Sequence, residues 1–243
     1  MIYAYRTETG LRKSNQDFFY TPAAGAKPYV IVADGMGGHR AGNIASLLAI
    51  ESICEYIDKN DDSLRKQQML QHAISYANHK IFDIASHDDD CMGMGTTVVM
   101  AYVDSKKFSY AHVGDSRLYH YDGSQLKQMT RDHSFVEELV SSGAITRAQA
   151  VHHPQRNILT RAVGTSQYIK ADAATGSWKR GDILMLCSDG LHGSVSRDEA
   201  MRILGGGYDL LEACDLMTEL ALRNGSRDNI TVVLVKNEGG ENA

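Results

Sequence analysis

The chain has 243 residues, 43% hydrophobic and 23% charged, with Lys+Arg 25 against Asp+Glu 30, a formal net charge of −5. A folded chain of this mass buries roughly 70% of its extended surface, so a core forms without staples, and the composition excludes disordered, collagenous and coiled-coil classes. Mild acidity without a Lys/Arg run excludes the footprint of a nucleic-acid or membrane-surface binder, and no 18-residue apolar run or signal-peptide pattern occurs, so a soluble cytoplasmic protein is expected. Cys54, Cys91, Cys187 and Cys214 stand far apart without a C-x-x-C pair and read as reduced, mostly buried thiols. Three prolines and no Ser/Gly/Pro-rich linker argue for one continuous domain over 1–237, with 238–243 as a short flexible tail.

In chain order, YVIVA (29–33) is a short apolar run ending at Asp34-Gly35, a buried strand feeding a turn. Residues 41–58 predict a helix with a core-facing stripe through Ile44, Leu47, Leu48, Ile53, Cys54 and Ile57. Residues 63–86 predict a second, through Leu64, Met69, Leu70, Ile74, Ala77, Ile81 and Ile84. After a flexible-looking HDDDCMGMG, the runs 96–103, 107–113 and 117–121 read as antiparallel meander strands with turns at Asp104-Ser105 and Asp122-Gly123. Periodicity breaks down over 130–165, where Ser134 with Glu137 has the form of a capping box and Thr146 is a second candidate cap. Strand character returns at 182–188, a helix at 208–223 and a last strand at 230–236. Strands and helices in runs predict an α+β fold on antiparallel sheets, not a doubly wound parallel sheet.

Aspartates recur at the edges of these strand-like runs. Asp34 follows VIVA, Asp115 follows YAHVG, Asp189 follows ILMLCS, and Asp228 precedes NITVVLV, so four carboxylates can meet at one rim. Asp-Gly is also a turn signal, and no single step decides. Clustered carboxylates are costly unless neutralised, and an all-oxygen set suits Mg²⁺ or Mn²⁺ over zinc. No H-E-x-x-H, EF-hand loop, P-loop or G-x-S-x-G elbow is present, and the adjacent His152 and His153 read as a surface loop. Two hard cations that share a carboxylate suit in-line phosphoryl displacement, which points to phosphoester hydrolysis. Arg12, in GLRKSNQD, is the candidate cation for the substrate phosphate, with a solvated loop arginine an equal reading from spacing alone.

An ordered series of strings, GLRKSNQD, VADGMGGHRAGNIAS, MGTTVV, HVGDSRLY, TRDHSFVEELVSSGAIT, HPQRNILTRAVG, LCSDGL and SRDNITVVLV, covers about residues 3–236. In that order they resemble the metal-dependent protein serine/threonine phosphatases of type 2C, above all the compact bacterial members. The resemblance implies a four-layer α/β/β/α sandwich, two antiparallel sheets flanked by helix pairs, with a dinuclear Mn²⁺ or Mg²⁺ centre at one end and a weaker third metal in some members. Asp34 resembles the carboxylate bridging both metals, the Gly35 carbonyl a ligand of the second, and Asp189 and Asp228 the remaining ligands of the first. Asp17 resembles the supporting acid acting through metal-bound water, Asp115 the third-metal ligand, and Arg12 the phosphate-binding arginine. The implied reaction is hydrolysis of phosphoserine and phosphothreonine in proteins by a metal-bridging hydroxide, without a phosphoenzyme. Phosphorylated proteins as substrates and a counterpart serine/threonine kinase are implied with it, and a monomer is the default expectation for the oligomeric state.

Departures from the family pattern are Met36, where many members carry a histidine proposed to protonate the leaving group, Gln16 in place of an acid, and Asn43 where bacterial relatives often have Glu. His39 is the candidate general acid, beside a structural role at the helix entry and a metal-bound water. Segment 130–165 matches the family's substrate-facing flap, in which His133 and Arg161 are conspicuous without an assigned role. Two competing readings are a phosphoprotein-binding regulatory module without turnover, opposed by retention of Asp34, Asp189 and Asp228, and a small-phosphoester hydrolase on the same fold.

Overall fold

The computed structural model describes residues 1–37, 41–60 and 65–239. In chain order the elements begin β1 (Ile2–Glu8), β2 (Asp17–Tyr20), β3 (Tyr29–Met36), α1 (Ala41–Lys59), α2 (Lys66–His87), β4 (Gly95–Thr96), β5 (Val98–Val103), β6 (Lys107–Val113), β7 (Arg117–Tyr121) and β8 (Leu126–Gln128). They continue with α3 (Phe135–Ser141), α4 (Arg147–Val151), β9 (Asp172–Ser177), β10 (Ile183–Cys187), α5 (Asp189–His192), α6 (Arg197–Leu204), α7 (Leu210–Arg223) and β11 (Ile230–Lys236). One sheet runs β1-β11-β10-β7-β8 and the other β2-β3-β5-β6-β9, with β4 paired to β3. Every strand pairing is antiparallel.

Side-chain alternation builds four layers. Val30 and Val32 of β3, Leu184 and Leu186 of β10 and Val233 and Val235 of β11 fill the space between the sheets. Their neighbours point the other way. Tyr29, Ile31 and Ala33 pack under α1 and α2, while Ile183, Met185, Cys187, Val232 and Leu234 pack under α6 and α7. Strands buried on both faces lose polar alternation, which is why YVIVA and ITVVLV read as continuous apolar runs. The expected α/β/β/α sandwich is the fold observed. No helix among the described residues is long and apolar enough to cross a membrane.

Several expectations need correction. β3 does not turn at Asp34-Gly35 but runs through both to Met36. The face of α1 that meets β3 is the small-residue one, Ala41, Gly42, Ala45, Ser46 and Ala49, with Ile53 and Ile57 further along. Ile44 and Leu47, placed in the core by the apolar periodicity, are 39% and 38% exposed. Close approach explains the choice: a Cβ on Gly35 would stand 2.1 Å from the Gly42 carbonyl oxygen. Gly35→Ala is therefore expected to destabilise the fold by about 2–3 kcal/mol, read as a lower urea midpoint. An unchanged midpoint would mean that the α1–β3 contact is not tight. Ile84 of α2 is likewise 37% exposed, Leu64 lies outside the described residues, and HDDDCMGMG forms a 3-10 turn at Asp89–Cys91 that buries Met94.

Between β8 and β9 lies the segment expected as a flap, carrying α3 and α4. Thr146 forms a full capping box with Gln149. Ser134 caps α3 but Glu137 does not return the bond, because its carboxylate pairs with Arg131 and Arg147 instead. Of the expected tail, Gly239 N–H donates to Asn237 Oδ1 at 2.9 Å, and residues 240–243 lie outside the described residues.

Candidate metal centre and active site

Strand ends bring the aspartates together. Asp17 opens β2 and pairs in register with Asp34 of β3. Asp115 sits in the β6–β7 turn, Asp189 begins α5 directly after β10, and Asp228 precedes β11. Asp34, Gly35, Asp115, Asp189, Asp228 and Arg12 line one cleft of about 270 Å³, which Asn157 and Leu159 of the flap segment close from the side. Asp17 is buried beneath it, accepting from Ser188 Oγ at 2.7 Å. Arg12 is exposed at the rim, its Nη2 2.6 Å from Asp228 Oδ2. His39 lies outside the described residues.

The backbone under the cleft is held tightly. Asp34 N–H donates to Thr97 Oγ1 at 3.0 Å, and its carbonyl accepts from Thr96 Oγ1 at 2.9 Å and Thr97 N–H at 2.8 Å. Buried Asn229 accepts from Gln16 N–H at 2.8 Å and donates to the carbonyls of Thr9 at 2.9 Å and Ser14 at 3.0 Å, which folds the Arg12 loop over Asp228. Gly190 begins the turn after Asp189 with no room for a side chain, since a Cβ would lie 2.0 Å from the Asn229 carbonyl oxygen. Asn43 Nδ2 donates to the Asn15 carbonyl at 2.9 Å, so the residue standing in place of a family Glu pins the β1–β2 loop to α1.

Crowding carboxylates out of water raises the free energy of the ionised form. Burial, then the charges of Asp17, Asp189, Asp115 and Asp228, hold the Asp34 carboxyl well above the usual range. Burial likewise pushes Asp17 up to about 7, Asp115 to about 8 and Asp189 to about 6, each with help from neighbouring carboxylates. Asp17 Oδ1 and Asp189 Oδ1 are buried without a hydrogen-bond partner among the described residues. Orphaned carboxylate oxygens beside an all-oxygen donor set are the environment that Mg²⁺ and Mn²⁺ fit.

A family model described as protein phosphatase 2C matches residues 10–223. The chain belongs to the protein phosphatase 2C family. It is 38% identical over 229 residues to the protein phosphatase PhpP of Streptococcus pneumoniae, covering 92% of each chain. Among solved structures it superposes on the serine/threonine phosphatase Stp1 of Staphylococcus aureus with a TM-score of 0.90, at 34% identity over 96% of this chain and 94% of that one. The catalytic domain of the phosphatase PstP, solved in complex with two manganese ions, matches with a TM-score of 0.85 at 33% identity over 97% of each.

The motif strings of this phosphatase 2C chain placed Asp34, Asp115, Asp189, Asp228 and Arg12, and the fold brings all five to one cleft. Sequence reasoning missed Thr96, Thr97, Ser188 and Asn229, which orient those residues, and Asn157 and Leu159, which approach from the flap. Each lies inside one of the family strings; Thr96, Thr97, Ser188 and Asn229 stand beside an acid or a strand start, which was the signal available, whereas Asn157 and Leu159 have no such neighbour.

Proposed function

We propose that this phosphatase releases phosphate from phosphoserine and phosphothreonine in other proteins, with two Mn²⁺ or Mg²⁺ ions held by Asp34, the Gly35 carbonyl, Asp189 and Asp228. One observation carries the reading: four carboxylates line one cleft, one of them with a buried, unpartnered oxygen. When bound there, divalent cations would supply Lewis acidity toward water and would offset the charge of the phosphate oxygens. Asp17, beneath the cleft and fixed by Ser188, orients water around the ions, and Asp115 is the ligand available to a third.

Arg12 binds and orients the substrate phosphate through its planar fork, held at the rim by Asp228. Arg12→Ala is then expected to raise KM for a phosphothreonine peptide roughly tenfold with a smaller effect on kcat, and Arg12→Lys to recover only part. Equal KM values for wild type and Arg12→Ala would remove it from phosphate binding.

Met36 lines the cleft but has no proton to give the leaving alkoxide, and His39 is proposed as the donor. His39→Gln should slow a phosphothreonine peptide by roughly 10²-fold while sparing an aryl phosphate, whose leaving group needs no proton. Equal losses on both would reject that role.

The direct test strips the protein with a chelator, restores Mn²⁺ and follows phosphate release from a phosphothreonine peptide. Metal-dependent release is expected. Peptide binding without release would favour the regulatory module, and faster turnover of small aryl phosphates than of peptides would favour the small-phosphoester hydrolase. The proposal extends to a serine/threonine kinase acting on the same proteins, a monomeric chain and a cytoplasmic location, the first testable by phosphoproteomic overlap and the second by sedimentation.

A further inference from the structure

Behind the cleft, His112, His133 and Asp172 bring ligand-type atoms within 4.8 Å of one another. Such a set suggests a metal site, but the hydrogen bonds place protons where a cation would have to be. Gly114 N–H donates to His133 Nδ1 at 3.1 Å, so the ring proton is on Nε2, which faces Asp172 Oδ2 at 3.2 Å. Arg161 Nη1 donates to Asp172 Oδ1 at 2.9 Å. A cation here would need His133 to lose its one proton and would lie against a guanidinium. His112 stacks on His133 with ring centroids 4.6 Å apart, and its Nε2 donates to the Arg131 carbonyl at 2.8 Å. Burial first, and then the neighbouring His112, hold the His133 pKa down at about 4, so the ring is neutral at neutral pH.

What the ring does hold is backbone. His133 N–H donates to the Gly114 carbonyl at 3.0 Å while Nδ1 takes the Gly114 N–H, a two-bond clamp on the residue before Asp115. The His133 carbonyl accepts from Thr160 N–H at 2.9 Å, and Nε2 reaches through Asp172 to Arg161. One residue thus joins the turn that carries Asp115 to both ends of the flap and to β9. Gly114 has φ +101°, and a Cβ there would stand 2.6 Å from Thr97 Cγ2, so this residue has no side chain to hold it; Ser116 Oγ, 2.7 Å from Thr97 Oγ1, and His192 Nε2, donating to the Asp115 carbonyl at 3.0 Å, hold the rest of the turn and leave the Gly114 amide to His133.

We propose that His133 is a positioning residue for phosphate release: its Nδ1 fixes the Gly114–Asp115 turn and sets Asp115 against Asp189 in the cleft, in register with the flap. The proposal rests on the phosphatase reading for the role of Asp115. Asn and Gln separate the two ring nitrogens, because Asn Oδ1 can occupy the position of Nδ1 and Gln Nε2 that of Nε2. In His133→Gln the Gly114 amide is expected to exchange at least about tenfold faster with solvent, and kcat/KM on a phosphothreonine peptide at saturating Mn²⁺ to fall about tenfold. His133→Asn should restore most of both. Equal losses in the two variants, or an equally protected Gly114 amide in His133→Gln, would overturn the proposal. If His133→Gln does not fold, ¹⁵N spectra of the wild-type ring decide instead. The Nε2–H tautomer with a coupling from Gly114 N–H to Nδ1 is expected, and a proton on Nδ1 or direct Mn²⁺ coordination by the ring would refute it. A wild type without any turnover would count against the phosphatase reading, while amide exchange would still judge the clamp.

Discussion

Asp34→Asn is expected to lower Mn²⁺-dependent release of phosphate from a phosphothreonine peptide by roughly 10³-fold or more, and also to raise the melting temperature of the metal-free protein. Groups one step removed from a metal typically cost about 10- to 100-fold when altered, and a carboxylate proposed to hold both ions should cost more. The opposite sign for stability follows from the crowd around it. Burial and the charges of Asp17, Asp189, Asp115 and Asp228 make either state of the Asp34 carboxyl expensive, since it must take up a proton or stay charged among like charges. Asn keeps the shape and escapes both costs, and the bonds from Thr96 and Thr97 go to the backbone, which the substitution leaves in place. A rise of roughly 5 °C or more is expected in calorimetry after chelation. Turnover close to wild type, or a fall in melting temperature without metal, would contradict the assignment.

The second large effect couples pH to metal. Asp17, Asp115 and Asp189 sit at about 7, about 8 and about 6 in the folded chain against an ordinary value of 3.8. Through the window from about pH 4 to about pH 8 these three carboxyls bind more protons in the folded protein than in the unfolded chain, so their contribution to stability falls as pH rises, while buried His133 and His192, held down at about 4 and about 3, oppose it in the acidic part of the window. The three carboxyls favour the fold below the window and lose that advantage as pH climbs through the raised values. Metal-stripped protein should accordingly melt lower at pH 8 than at pH 5. Mn²⁺ competes with the same protons, so its stabilisation should be larger at pH 8. At 100-fold excess over Kd one site contributes about 2.7 kcal/mol, or roughly 5–10 °C for a chain of this length. A Mn²⁺ shift that is equal at both pH values, or larger at pH 5, would mean that the carboxylates are not the ligands.

Legibility in the sequence followed burial. β3, β10 and β11, covered on both faces, stand out as apolar runs, and α2 and α7 as apolar stripes. β1, β8 and β9 pass unnoticed because they lie at sheet edges, where only one side and one face are covered and residues such as Arg6, Lys127 and Asp172 are tolerated. The stripe on α1 misleads because apolar periodicity favours bulk, whereas the helix approaches β3 through glycine and alanine. In the site, acids at strand ends are visible as local strings. Their orientation depends on pairings such as Ser188 with Asp17, 171 residues apart, and Asn229 with Gln16, 213 apart, which no local pattern encodes.

The centre itself is most directly tested by diffraction from Mn²⁺-soaked crystals at the manganese absorption edge. Two anomalous peaks are expected among Asp34, the Gly35 carbonyl, Asp189 and Asp228, with any weaker third peak at Asp115. An empty carboxylate cleft, or manganese only at His112, His133 and Asp172, would contradict the proposed metal centre.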